Sequence, residues 1–235
     1  AHAENLDNFS VFCNHVLTPA AMNAILAVPE DADEQVEVDG FIGPAHVSVV
    51  IGSDAYRFCA RQHKRPVVIA GFEPLDVLQS ILMLIRQLND GRAEIENQYT
   101  RAVTGVGNQR AQAIMQQVLE RRPSFEWRGL GAIPDSALAI RKEFSHFDAE
   151  QRFAMPYSPA AGTKSCDCPS ILRGAKKPTD CKLFATSCTP DNPLGSCMVS
   201  DEGACAAYYT YGRFRQQAIE RRQKEQEQRR AARRG

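Results

Sequence analysis

Six cysteines lie in one short segment near the end of the chain, and they constrain its fold more than any other feature. One residue separates the first two, and the others follow at steps of thirteen, seven, nine and eight: Cys166, Cys168, Cys181, Cys188, Cys197 and Cys205. The segment is rich in Pro, Gly, Asp and Ser and too poor in apolar residues to build its own core. We therefore expect a metal group or disulfides to supply its order.

The region before these cysteines favours a metal group over disulfides. The chain starts at Ala1 without the pattern of an export signal, and cysteine is scarce until the segment begins. We therefore expect a cytoplasmic protein, in which clustered cysteines favour metal or redox chemistry over structural disulfides. The two earlier cysteines, Cys13 and Cys59, are expected to be small buried hydrophobic residues.

The spacing of the six cysteines favours an iron–sulfur cluster over zinc. Structural zinc sites usually pair their ligands at C-x-x-C spacing, which the segment lacks, and it contains no histidine. Single, well separated ligands in irregular loops suit a 4Fe-4S cluster, which needs about four cysteines. The surplus two predict a redox-active thiol pair beside it. A structural zinc-binding module remains an alternative.

Composition limits the classes of partner. The 235 residues include 28 basic and 28 acidic side chains, so the zero net charge gives no argument for nucleic acid. No apolar run has the length of a membrane span. The charge balance hides a strongly basic tail over residues 213–235, which we expect to be a solvated helix or a disordered segment.

Short apolar runs alternate with helical patterns before the cysteines, and this alternation predicts an α/β fold with a parallel sheet flanked by helices. We expect three strands and two long helices, at Phe9–Cys13, Val38–Ile42, Pro66–Ala70, Leu75–Leu88 and Gln109–Arg121. A linker at Pro156–Lys164 precedes an irregular Cys-rich iron–sulfur segment. The expected organisation is an α/β domain over residues 1–155, the Cys-rich segment over 156–212, and the tail.

Polar turns follow the three predicted strands, and they carry His15, His46 and Glu73. Ligands of open parallel sheets bind beyond the carboxyl ends of the strands, so adjacent strands would place these side chains in one crevice. The alternative is that each histidine is an ordinary loop or core residue.

The predicted helix Leu75–Leu88 carries an apolar stripe. Its members are Leu75, Leu78, Ile81, Leu82 and Ile85. This spacing predicts one buried face. The next stretch, Glu94–Arg101, is polar and has no clear pattern.

Seven blocks of sequence, taken in order, identify a family. Six are G-P-A-H-V-S at Gly43–Ser48, G-F-E-P-L-D-V-L-Q at Gly71–Gln79, E-N-Q-Y at Glu96–Tyr99, W-R-G-L-G-A-I-P at Trp127–Pro134, F-D-A-E at Phe147–Glu150 and L-R-G at Leu172–Gly174. The longest reads T-P-D-N-P-L-G-S-C-M-V-S-D-E-G-A-C-A-A-Y-Y at Thr189–Tyr209. With the complete cysteine series, these blocks make the chain resemble the hydrogenase maturation scaffold family HypD over Phe9–Gly212.

The resemblance implies a function in NiFe-hydrogenase maturation. Family members bind the small chaperone HypC, and together they hold the iron on which two cyanides and one carbon monoxide are assembled. HypE, prepared with HypF, delivers the cyanide, and the hydrogenase large subunit is a further, indirect partner. The family also carries a 4Fe-4S cluster among its C-terminal cysteines, from which an electron path to thiols is implied.

Carried over by position, the resemblance assigns roles to side chains of this sequence. The cluster ligands are Cys181, Cys188, Cys197 and Cys205, and the nearby redox pair is Cys166 and Cys168. His46 and Glu73 fall on the His and the acid of family motifs, and we expect them to assist proton movement as cyanide ligands arrive.

One departure from the family pattern affects the expected function. Family members bind iron through a cysteine of a C-G-P-G-C-P-type motif, which does not occur in this sequence. We therefore expect a fragment, or a homologue without its front portion. A thiol–disulfide oxidoreductase fed by its cluster is the alternative function, because the six cysteines suffice for it.

Overall fold

The structure, a computed structural model, describes residues 1–27, 36–154 and 165–212. The chain divides into two compact units, Ala1–Pro159 and Ala160–Gly235. The predicted linker Pro156–Lys164 and the basic tail over 213–235 both lie entirely outside the described residues. In the described part, no helix has the length and apolar character needed to cross a membrane.

A three-stranded parallel sheet organises the first unit. Its strands are β1 (Phe41–Pro44), β2 (Val67–Ala70) and β3 (Ile95–Asn97), in the order β1-β2-β3. Residue Ile42 of β1 pairs with Val68 of β2, which pairs with Glu96 of β3. The central strand is buried along its whole length, as expected for a continuous Val and Ile run in a parallel sheet.

Helices flank this sheet. They are α1 (Thr18–Leu26), α2 (Ala45–Ile51), α3 (Arg57–His63), α4 (Pro74–Asn89) and α5 (Gln109–Val118), with a 3-10 turn at Ser53–Tyr56. Both α2 and α4 pack against β1 and β2. The core between these elements contains Tyr56, Cys59 and Val103 beside the strand residues Val67 and Ile69.

The rest of the first unit consists of two small antiparallel pairs and short helices. Strand β4 (Leu119–Arg121) pairs with β7 (Leu138–Ile140), and β5 (Ser124–Trp127) pairs with β6 (Gly131–Pro134). The indole of Trp127 donates to Ser136 Oγ at 2.8 Å, which ties the β5–β6 pair to the segment before β7. The short helices are 3-10 turns at His2–Glu4 and Lys142–Phe147, and α6 at Ala149–Arg152.

The second unit is irregular. Its described helices are α7 (Cys168–Leu172), a 3-10 turn at Pro178–Asp180, α8 (Ser196–Val199) and a helix over 204–212. Turns and isolated bridges connect them, such as those joining Phe184 to Cys188 and Thr189 to Asn192. No strand of the unit's described residues belongs to a sheet.

The α/β class and the parallel sheet flanked by helices are confirmed, and most of the predicted elements are found. The strand Val67–Ala70 and the helix Pro74–Asn89 lie where the sequence predicts them. Three predictions need correction. The strand predicted at Val38–Ile42 is shifted towards Pro44, the helix from Gln109 ends at Val118 because β4 begins there, and β3 lies in the polar stretch that has no pattern.

The strand predicted at Phe9–Cys13 is wrong. The segment has no ladder, and only Val11 makes an isolated bridge, with Asp148. Its exposed rings, Phe9 and Phe12, contact Phe147 and Phe153 instead of a sheet face. The apolar run therefore packs on side chains near α6 and adds no strand to the parallel sheet.

The orientation predicted for α4 is also wrong. Its apolar stripe faces outward, and the residues buried against the body are Asp76, Ser80 and Gln87. Each of these side chains makes a hydrogen bond, although the amide nitrogen of Gln87 has no partner among the described residues. Ser80 Oγ donates to the carbonyl of Asp76 at 2.8 Å, and Gln87 Oε1 accepts from the backbone N–H of Glu94 at 2.8 Å. A polar face can be buried when its groups are hydrogen-bonded, and periodicity alone does not say which face is inside.

Two glycines permit a matched test of backbone packing in this fold. A Cβ on Gly52 would overlap the carbonyl oxygen of Gly105 and backbone atoms of Val106 and Gly107, whereas a Cβ on Gly91 would meet nothing; both have positive φ, +82° and +64°. We expect Gly52→Ala to lower the free energy of unfolding by about 3–5 kcal/mol, and Gly91→Ala by only about 1–2 kcal/mol. Urea unfolding followed by circular dichroism measures both, and equal losses would contradict the packing argument.

Candidate functional site

Five of the six clustered cysteines form the core of the second unit. Their side chains are between 3% and 7% exposed and pack with Ile171, Met198 and Ala206: Cys168, Cys181, Cys188, Cys197 and Cys205. The sixth, Cys166, is half-buried and packs against the same core. All six are free thiols. A unit with so few other apolar side chains uses its own sulfur atoms as its interior.

Several thiols are in direct contact within this core. The Sγ of Cys197 lies 3.1 Å from the Sγ of Cys205, and Cys197 also hydrogen-bonds the thiol of Cys168. The Sγ of Cys168 lies 2.9 Å from Ser196 Oγ. Helix α8 therefore brings its cysteine and the preceding serine onto the first cysteine of α7.

Two backbone features hold the remaining sulfurs. The N–H of Leu194 donates to Cys188 Sγ at 3.4 Å, which is a typical interaction with a buried sulfur. A Cβ on the next residue, Gly195, would overlap the Sγ of Cys166 and approach Cys168. The backbone can therefore approach these two thiols closely only because residue 195 has no side chain.

The contacts separate the acidities of the thiols. The hydrogen bond from Cys197 lowers the pKa of Cys168 to about 6. A hydrogen bond with Ser196 also lowers this pKa, whereas burial of the thiol raises it. The pKa of Cys197 is raised because it is the donor in that contact and is buried. Burial also raises the pKa of Cys205 and of Cys166. Cys168 is therefore the thiol of this core whose anion is most favoured.

A charged pair lies beside the first two cysteines. Asp167 stands between them in sequence, and its Oδ1 accepts from Lys176 Nζ at 2.7 Å. This bond lowers the pKa of the Asp167 carboxyl, and a hydrogen bond with the Cys181 thiol adds to the effect. The turn that carries Cys166 and Cys168 is thus tied both to the segment after α7 and to the third cysteine.

The donor set of this core fits a thiolate-bound metal group in its chemistry. Six soft sulfur donors lie within one small core, and iron–sulfur clusters are held by such thiolates. Among the described residues, however, no group of three or more His, Cys, Asp or Glu side chains is already arranged around one metal position. Two of these cysteines lie between α7 and α8, one precedes α7, and the other three lie on α7, α8 and the helix over 204–212.

Cys13 and Cys59 belong to the first unit and lie apart from this core. Both are buried, at 1% and 0% exposure, as predicted. Burial raises the pKa of Cys13, and it raises the pKa of Cys59 to about 11. Neither environment favours a thiolate.

The carboxyl edge of the parallel sheet brings His46 close to the turn after β2. The His46 ring lies on the ring of Phe72, with centroids 5.2 Å apart, and both side chains are exposed. Glu73 follows Phe72 and precedes α4. The parallel pairing of β1 and β2 therefore places both predicted residues at one edge of the sheet.

A polar network fixes the start of α4 at this edge. The guanidinium of Arg101 makes two bonds to the carboxylate of Asp76, at 2.9 and 2.6 Å, and one to Glu73 Oε2 at 3.2 Å. Gln98 Nε2 donates to Asp76 at 2.9 Å, and Arg101 stacks on Tyr99 at 3.9 Å. The bonds from Arg101 and Gln98 lower the pKa of Asp76 and keep it ionised.

His15 does not share this edge, so the predicted three-residue crevice is wrong. Its backbone carbonyl accepts from the N–H of Leu138 in β7, and its Nδ1 lies 3.3 Å from Cys13 Sγ. Because Phe9–Cys13 is not a strand, the turn after it is not at the carboxyl end of the sheet. Two of the three predicted side chains are brought together, and the third is not.

The sequence prediction missed the residues that support the two sets of side chains. Asp76 lies inside the G-F-E-P-L-D block and Tyr99 ends the E-N-Q-Y block, so their motifs were available as signals. Arg101, Asp167 and Ser196 had no comparable signal, because a charged or hydroxyl side chain in a turn is usually solvated. Only the three-dimensional contacts identify them.

Comparisons with known proteins give the chain's relatives. A family model described as "HypD: Hydrogenase formation hypA family" matches residues 1–212. The hydrogenase maturation factors HypD of Azotobacter vinelandii and Cupriavidus necator are 66% and 63% identical over 214 and 216 residues, covering 91% and 92% of this chain. That of Rhodobacter capsulatus is 49% identical over 216 residues. The chain spans 56–57% of the length of these relatives.

The burial of the thiols predicts their order of reaction in the metal-free chain. We expect iodoacetamide at pH 8 to label Cys166 first, because it is the only half-buried thiol of its unit's core, and to leave Cys13 and Cys59 unlabelled. Peptide mass mapping at increasing times measures the order. Labelling of Cys59 as fast as Cys166 would contradict the structure, and labelling of all eight thiols in urea is the control.

Proposed function

This chain belongs to the HypD family, and on that premise we propose that it acts in NiFe-hydrogenase maturation as a metallocentre assembly scaffold. With HypC it would support assembly of the Fe(CN)2CO centre, using a 4Fe-4S cluster and redox thiols. The iron with its cyanide and carbon monoxide ligands is cargo in this proposal. HypE supplies cyanide, HypF acts before HypE, and the hydrogenase large subunit receives the product. The proposed location is the cytoplasm.

The observation that carries the proposal is the sulfur core of the second unit. Four of its buried thiols, Cys181, Cys188, Cys197 and Cys205, are the proposed cluster ligands, and their burial keeps water from the group that they would hold. When bound, the cluster supplies single electrons. The protein's part is to present four sulfurs, two from the segment between α7 and α8, one from α8 and one from the helix over 204–212, and to limit access to them.

Cys166 and Cys168 are the proposed redox pair, and their environments support that role. Cys166 is the most accessible of the six thiols, as exchange with an external disulfide requires. Cys168 has its pKa lowered to about 6 by the Cys197 hydrogen bond. Its contact with Cys197, a proposed ligand, also gives the pair a direct connection with the cluster ligands. Closing a disulfide between the pair releases two electrons and two protons, and reopening it consumes them.

His46 and Glu73 are the proposed proton-handling residues. Both lie at the carboxyl edge of the parallel sheet, where α/β proteins bind their ligands. Arg101 holds Glu73 in position, and Phe72 supports the His46 ring. Imidazole and carboxyl groups are common general acids and bases, which suits the arrival of cyanide ligands.

A cluster-linked thiol–disulfide oxidoreductase is the second candidate function. The access of Cys166 and the lowered pKa of Cys168 would favour it, because a dithiol of this kind can act on external disulfides without HypC. HypC binding separates the two functions. An assembly scaffold forms a complex with purified HypC, and a general oxidoreductase does not need one.

The cluster is tested by metal analysis. We expect the anaerobically purified chain to be brown and to hold about four iron and four sulfide per chain. Cys197→Ser should lose most of that iron, whereas Cys59→Ala, which removes a buried thiol of the other unit, should keep it. A colourless chain with stoichiometric zinc would contradict the cluster and support the structural zinc module.

The role of His46 is tested by substitution. We expect His46→Ala to lower hydrogenase maturation at least about a hundredfold, the lower end of the range for loss of a general acid or base, while the visible absorption of the cluster stays unchanged. His63→Ala is the matched control, because His63 lies on α3 and bonds only the Asn23 side chain among described partners. Unaltered maturation by the His46 variant would remove this role.

A further inference from the structure

Three consecutive residues before α8 contact the sulfur atoms of three different cysteines. The N–H of Leu194 donates to Cys188 Sγ at 3.4 Å, and the hydroxyl two residues later lies 2.9 Å from Cys168 Sγ. Between them, Gly195 lies against the Sγ of Cys166. One short backbone segment therefore contacts a proposed cluster ligand and both thiols of the proposed redox pair.

The backbone conformation at residue 195 does not require a glycine. Its φ of −111° and ψ of 154° are extended angles that any residue adopts. A side chain is excluded there by the sulfur of Cys166, which a Cβ on Gly195 would overlap. The same Cβ would lie 3.5 Å from Cys168 Cβ and 3.9 Å from its Sγ. The Cys166 sulfur therefore occupies the space beside Cys168 that a side chain at 195 would fill.

The backbone around Gly195 is held on both sides and cannot move away from this contact. Its carbonyl accepts from the N–H of Met198, a residue of α8 that is 2% exposed, at 3.0 Å. On the other side, the N–H of Leu194 is bonded to Cys188. The half-buried side chain of Cys166 is the partner that has a path to solvent. A side chain at 195 would therefore displace the Cys166 sulfur outward.

The other contact of the Cys166 sulfur comes from the second member of the pair. The backbone N–H of Cys168 hydrogen-bonds the Cys166 thiol. The sulfur is thus held between this N–H and the backbone of Gly195. An outward displacement of Cys166 would break the hydrogen bond and separate the two thiols.

We infer that Gly195 is a positioning residue of the redox pair, because its missing side chain keeps Cys166 Sγ where Cys168 can attack it. The inference rests on the proposed function, in which these two thiols exchange with disulfides. Cys166 first attacks an external disulfide, which forms a mixed disulfide and releases one thiol. Cys168 then attacks Cys166 Sγ, closes the internal disulfide and releases the second thiol. The pair loses two electrons and two protons, and the two released thiols gain them.

The inference is tested by Gly195→Ala in the full chain, purified anaerobically and treated with glutathione disulfide. We expect the second step to slow about a hundredfold, the cost that a displacement of about 1 Å can have in a positioned reaction. The mixed disulfide of Cys166 with glutathione then accumulates, whereas the unaltered chain proceeds to the internal disulfide. Mass spectrometry of acid-quenched, alkylated peptides measures both species. Iron content and visible absorption should equal those of the unaltered chain.

Gly212→Ala is the matched control in the same unit. A Cβ on Gly212 would also be crowded, but its three nearest atoms all belong to the ring of Tyr208, the first at 2.9 Å. We expect this variant to close the internal disulfide at the rate of the unaltered chain. An equal delay in both variants would contradict the inference, because the added methyl group would then act through the unit's general packing.

The outcomes separate this inference from the proposed function. If the unaltered chain forms no disulfide between Cys166 and Cys168, the proposed redox pair fails and the inference fails with it. If the unaltered chain and Gly195→Ala close the disulfide at equal rates, only the inference is overturned.

A second variant decides the case in which Gly195→Ala loses iron. Adding Cys166→Ala removes the overlapping sulfur, so the double variant should recover the iron content and the urea midpoint of Cys166→Ala alone. That recovery supports the contact on which the inference depends. A double variant that stays low in iron overturns it, because the added methyl group would then disturb the ligands and not the pair.

Discussion

The ion pair of Asp76 with Arg101 determines how the first unit presents the sheet edge that carries His46 and Glu73. The Asp76 carboxylate is 6% exposed at its side chain, and it accepts two bonds from one guanidinium. That geometry fixes the rotation of α4 and leaves a third guanidinium bond for Glu73. A buried carboxylate is tolerated only with such partners. The outward direction of the apolar stripe of α4 and the position of Glu73 are therefore two results of one contact.

The second unit depends on a different constraint, because it has almost no hydrocarbon core. Its interior is made by five buried thiols with Ile171, Met198 and Ala206 around them. Thiols pack as small hydrophobic groups, but their contacts here also set their acidities. The hydrogen bond from Cys197 lowers the pKa of Cys168 and raises the pKa of Cys197. Two neighbouring sulfurs of similar burial therefore have opposite tendencies to ionise.

Local sequence patterns were sufficient for the central strand and the long helix α4, but insufficient for several shorter elements and for the orientation of α4. Val67–Ala70 was predictable because a short run of Val and Ile between turns has few alternatives in an α/β protein. β3 was not, because Ile95 is the only large apolar residue of its strand and the backbone bonds to β2 decide its conformation. The stripe of α4 was identified correctly, but its inward direction was wrong. Arg101, distant in sequence, decides which face is buried.

The same limit applies to the candidate site. The cysteine spacing identified which side chains come together, and the structure places all six in one core. The cysteine spacing did not predict that Cys197 contacts both Cys168 and Cys205, because the irregular segments between these cysteines have no periodic pattern that predicts which of them meet. At the sheet edge, His46 and Glu73 were predictable from parallel pairing. The prediction for His15 was wrong because it depended on a strand at Phe9–Cys13, which the structure does not contain.

In both units an aspartate bonded to a basic side chain lies next to proposed site residues. Asp76 with Arg101 lies beside Glu73, and Asp167 with Lys176 lies between Cys166 and Cys168. The pKa of each aspartate is lowered by its partner, so the folded state favours its anion more than the unfolded state does. Each pair therefore stabilises the fold above the ordinary aspartate pKa of about 3.9. That contribution disappears as the pH falls through the lowered value, well below the range in which thiols and imidazoles exchange protons. The two anchors thus keep their charge at the pH at which the Cys168 thiol ionises.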